Sequence, residues 1–116
     1  VEGLTYSGIA GENLTGKLNR FVSLNSSLEI VLAAENAVPI GTLFEEGPLG
    51  AAVSVQCGGI AKVIVDTTVS TPGTLVSVGA SGGAKPVGST GVAGVALAAG
   101  AANVVIPVLF VPSAKS

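Results

Sequence analysis

The sequence contains no histidine, tryptophan or methionine, and it has one cysteine among 116 residues. A zinc site built from paired cysteines and histidines is therefore excluded, and so is a nucleophilic triad that relies on an imidazole base. Cys57 has no second cysteine to pair with inside the chain, and no histidine can activate it as a thiolate. Glu45 and Glu46 are the only adjacent carboxylates, and neighbours on an extended strand point to opposite faces. They would not flank one scissile bond, so a solvated turn is the reading. No cofactor, no metal ligand set and no enzymatic activity is expected.

Charge and aromatic rings are scarce as well, at 10% and 3% of the residues. Lys17, Arg20, Lys62, Lys85 and Lys115 are scattered rather than gathered in a stripe, and the net charge is −2. Nucleic acid is thereby excluded as a partner. Tyr6, Phe21, Phe44 and Phe110 do not interleave with basic residues, as the stacking platforms for single strands require.

Apolar residues are plentiful: they make up 48% of the chain, with a mean hydropathy of +0.74. A domain of this size hides less apolar surface than that, so the surplus is expected to face another protein. Gly91 to Phe110 carries no charge and is long enough to cross a bilayer. Gly91, Gly94, Gly100 and Pro107 interrupt it and no basic cluster flanks it, so no membrane span is expected. The first residues lack the basic start and apolar run of a secretory leader, which gives a reducing cytoplasm as the expected site of synthesis.

Residues 1–16 show neither helical nor strand periodicity and read as an extended arm, with Leu4, Tyr6, Ile9 and Leu14 as apolar anchors for a neighbouring molecule. Residues 17–116 read as a single β domain with a weak internal repeat. Leu18–Leu24 and Leu28–Leu32, separated by Asn25-Ser26-Ser27, form the pattern of a hairpin. Gly41 and Gly47 recur as Gly94 and Gly100 at one offset (94 − 41 = 53, 100 − 47 = 53), each pair followed by a strand-like run.

In the run from Val53 to Cys57 the odd-numbered positions are apolar, the period of a half-buried strand. Ile60 to Asp66 is apolar on both faces except for Lys62, so Ile60 and Ile64 are expected to be covered or to border a partner. The same two-sided pattern returns from Val104 to Val111. Pro107 assigns that strand to a sheet edge or a bulge. Ile106, Val108 and Phe110 are its expected subunit contacts. No helix is expected beyond single turns at Leu97-Ala98-Ala99 and Leu32-Ala33-Ala34-Glu35, and the class is all-β.

The order Leu14-Thr15-Gly16-Lys17, a short hairpin, Ile40-Gly41-Thr42-Leu43, Gly50 to Val55, Gly58 to Val63, Gly73 to Val78, Gly94-Val95-Ala96-Leu97 and a closing apolar strand resembles the small capsid decoration, or head cement, proteins of tailed bacteriophages. The resemblance covers residues 14–111 and rests on glycine and hydrophobic spacings. It implies a β-barrel-like or β-sandwich domain that forms a homotrimer on the exterior of the virion capsid and staples neighbouring copies of the major capsid protein, after synthesis in the host bacterial cytoplasm. Such contacts act together by multivalency. The alternative is a particle-displayed module that binds carbohydrate or a host surface, which would stack sugars on exposed aromatics such as Tyr6.

Overall fold

The computed structural model describes residues 5–35, 37, 39–57, 59–86 and 92–113, and among them every regular element is a β-strand. In chain order the strands are β1 (Thr5–Ile9), β2 (Phe21–Leu24), β3 (Ile30–Leu32), β4 (Gly41–Glu45), β5 (Ala52–Gln56), β6 (Ile60–Ile64), β7 (Leu75–Val78), β8 (Ala84–Pro86), β9 (Val92–Ala96) and β10 (Val105–Ser113). Two antiparallel sheets result, ordered β1-β5-β4-β2-β3 and β6-β10-β9-β7-β8. Numbered from its own first strand, the second sheet has the order of the first. In each, the chain leaving the first strand reaches the far edge of the sheet through a parallel bridge, Ala10 to Ile30 and Val65 to Ala84. Each half therefore curls into a small barrel.

The likeness of the halves extends to single atoms. An added Cβ at Gly41 would strike the Gln56 carbonyl and Val55 Cγ1; at Gly94 it would strike the Leu109 carbonyl and Val108 Cγ1. The same offset of 53 relates all three positions (94 − 41, 108 − 55, 109 − 56). Nearer the start of each half the offset grows to 54 and 55, as in Val22 with Val76 and Ala10 with Val65. Three pairs of positive-φ residues follow the same rule: Asn19 corresponds to Gly73, Leu28 to Gly82, and Gly50 to Asn103.

Each barrel has its own core. The first is Ala10, Leu14, Val22, Ile30, Leu43, Val53 and Val55, and each has its counterpart in the second: Val65, Val69, Val76, Ala84, Ala96, Ile106 and Val108. Ile30 and Leu43 are matched by alanines, and the second core also takes in two phenyl rings, Phe110 and Phe21, with centroids 6.3 Å apart. Phe21 belongs to β2, so a side chain of the first half completes the core of the second. Around it the Phe21 amide donates to the Gly82 carbonyl (2.7 Å), the Ile64 amide donates to the Asn19 carbonyl (2.9 Å) and the Arg20 guanidinium donates to the Ser81 carbonyl (2.9 Å).

The hairpin turns differ in one respect. In the first half the Asn25 side-chain oxygen accepts from the Ser27 and Glu29 amides, both at 2.9 Å. At the equivalent place stands Gly79, which has no side chain, and the Asp66 carboxylate reaches in to accept from the Ser81 and Gly83 amides at 2.8 and 3.2 Å. Asp66 itself corresponds to Gly11 (66 − 11 = 55), where a Cβ would collide with Glu29 Cβ and Asn25 Nδ2. Acceptor and glycine have exchanged places between the halves.

Two expectations are revised. Thr5–Ile9 of the arm is an edge strand on this chain's own β5, with Tyr6 opposite Val55 and Ile9 opposite Ala52. Pro107 lies in β10, which is flanked by β6 and β9 rather than at an edge. Leu97 donates to its carbonyl, and the reciprocal bond is the one that proline cannot make, at the place where β9 ends with Ala96.

Candidate interaction surface

Strand pairing sets four side chains abreast on the outer face of the second sheet. Ile60 lies opposite Leu109, Leu109 opposite Val95, and Val95 opposite Leu75, across β6, β10, β9 and β7. Their exposures run 53% for Ile60, 39% for Leu109 and 44% for Leu75, with Val95 partly covered. Beside this row, Ile64 lies opposite Val105 and Lys62 opposite Pro107. An apolar band of this width, relieved by one lysine, is a surface suited to another protein. The corresponding row of the first sheet is Thr5, Gln56, Thr42 and Phe21, of which Thr42 and Phe21 are buried. The first row is polar at three of its four positions, and the fourth, Phe21, is covered by the second half; the second row is apolar and open.

A cavity of about 240 Å³ opens where the halves meet, lined by residues that include Asn19, Thr42, Phe44, Gln56, Ile60 and Lys62. Among the described residues its lining includes one cationic side chain and no carboxylate. Among the described residues no three of His, Cys, Asp or Glu come together as a metal site. Cys57 is half-buried against the first core, and burial pushes its thiol pKa up, which keeps it protonated and unreactive near neutrality.

The expected contact residues divide by face. Ile60 and Ile64 stand on the outer face of β6, and Tyr6 and Ile9 on β1 are exposed. Leu4 lies outside the described residues. Leu14 is fully buried in the first core, and Ile106, Val108 and Phe110 are buried in the second. These four hold the barrels together and offer no surface. The outward positions of β10 are Val105, Pro107 and Leu109. Both faces of β10 are apolar, and only its pairing with β6 and β9 determines which one turns inward.

The sequence reading did not single out Leu75, Val95, Leu109 or Leu28. Leu28 is the least expected of these: it is 67% exposed, yet it adopts a φ of 63°, a left-handed conformation that costs a leucine about 1–2 kcal/mol. The signal available in the sequence was the correspondence with Gly82, 54 residues on (82 − 28).

No family model and no curated protein matches the chain. Among solved structures it is similar to the head fiber gp8.5 N base in bacteriophage phi29, with a TM-score of 0.77 and 21% sequence identity, over 97% of this chain and 98% of that one. The likeness is one of fold, and it spans both barrels.

Proposed function

We propose that this chain is a structural protein of a tailed-phage head. In this reading it is a decoration protein that binds the major capsid protein on the outer surface of the virion as a homotrimer and braces neighbouring capsid subunits. The observation that carries the reading is the match of both barrels to the base of a head fiber. The open apolar band on the second sheet supports it. The function needs no reactive centre. It needs a rigid body with more than one face to offer, so that separating two capsid subunits must break contacts on both.

The test is co-sedimentation of the purified protein with mature, undecorated shells of the source phage, followed by heating of bare and decorated shells. Saturable binding at fixed stoichiometry, with shells that survive to higher temperature, is the expected result. Failure to bind such shells would remove the assignment.

A further inference from the structure

The joint between the two barrels has two sides, and the repeat places the equivalent of each once more on the same chain, with Cys57 where the joint has Phe110 (110 − 57 = 53). On the first barrel the joint is made by Asn19, Arg20 and Phe21; on the second it is made by Ile64, Ser81, Gly82 and Phe110. The repeat carries Phe21 to Leu75, at the end of the open apolar row (75 − 21 = 54). It carries Ile64 back to Ile9 and Gly82 back to Leu28 (64 − 9 = 55, 82 − 28 = 54), both exposed on the first barrel.

We infer that the open side of the second barrel, centred on Leu75 and Leu109, takes the Ile9 and Leu28 side of the first barrel of a second copy of this chain. The contact repeats between copies the joint already made within one. It explains why a leucine is kept at a left-handed, solvent-facing turn whose counterpart is glycine: in the monomer Leu28 is unfavourable in both backbone and hydration, and in the assembly its side chain fills the next copy's apolar row. It also explains why the row facing outward is apolar in the second sheet and polar in the first.

Such a contact is heterologous, because it joins two different patches, and it propagates from copy to copy until a ring closes. This inference deepens the homotrimer of the proposed function by naming its interface. The ion pair of the internal joint, Arg20 with Asp66 at 3.8 Å, has no counterpart here, since the equivalent positions are Thr74 and Gly11. Association between copies therefore persists at high salt.

The experiment uses the full chain and sedimentation velocity. Leu75→Glu and Leu28→Asp each disable one side, and both residues are exposed, so circular dichroism should report an unchanged fold. Aspartate also tolerates the left-handed backbone at position 28. The wild type is expected as a closed oligomer, each variant alone as a monomer, and an equimolar mixture of the two as a 1:1 dimer, because each retains the side the other lacks. Leu109→Lys in place of Leu75→Glu should behave identically and guards against a local folding defect.

A monomeric wild type, an oligomer indifferent to these substitutions, or a mixture that stays monomeric would each overturn the inference. Oligomers that form as described but ignore shells would leave this interface standing and remove the capsid assignment instead. Wild type that binds shells while remaining monomeric would do the reverse.

Discussion

Two turn amides in each barrel must find an acceptor, and the chain meets that need in two ways. Asn25 serves Ser27 and Glu29 from within its own turn, whereas Asp66 serves Ser81 and Gly83 from a neighbouring segment. Asp66→Gly should therefore cost about 0.5–1.5 kcal/mol, the net worth of such hydrogen bonds at a turn that water can reach. Gly79→Asn alone should also destabilise, because the new side chain meets the Asp66 carboxylate. The double variant rebuilds the arrangement of the first half and should recover most of the loss. Denaturant unfolding of all four proteins checks this, and additive losses would refute the exchange.

Among the elements, the strand pairs β4–β5 and β9–β10 were the most legible in the sequence. Their glycines keep one offset because each sits where a Cβ would press on the adjacent strand. Gly41→Ala and Gly94→Ala should each cost about 1–3 kcal/mol by overpacking. Gly50→Asn should stay within about 0.5 kcal/mol, because Asn103 already holds the equivalent left-handed position. Thermal unfolding of the three variants separates these cases. The front of the repeat was not legible: Leu14 with Val69 and Ile30 with Ala84 share no letter, and their offsets are 55 and 54 (69 − 14, 84 − 30). In β6 the alternation separates Ala61 and Val63, which the structure buries, from Ile60, Lys62 and Ile64 on the other face. β10 carries no residue like Lys62, and its contact face was read inside out.

At the scale of the molecule, the two barrels are joined through Phe21 more than through the short stretch of chain between β5 and β6. Phe21→Ala should cost about 3–5 kcal/mol, the range for deleting a buried phenyl group. The loss should also appear in both halves, with faster amide exchange in β10 of the second barrel as well as in β2 of the first. Faster exchange confined to β2 would mean that the ring serves only its own half.

The exchanged turn acceptor has a consequence for descent. If both barrels descend from one duplicated unit, one of them changed its bracing after the copies diverged, and that change took two substitutions. Acquiring the new acceptor first would crowd two side chains into a space that admits one. Losing the old one first leaves only two amides at a turn, where water can serve them. The passable route ran through a form with glycine at both places, and an ancestor reconstructed with glycine at both should fold, less stably than either present-day half.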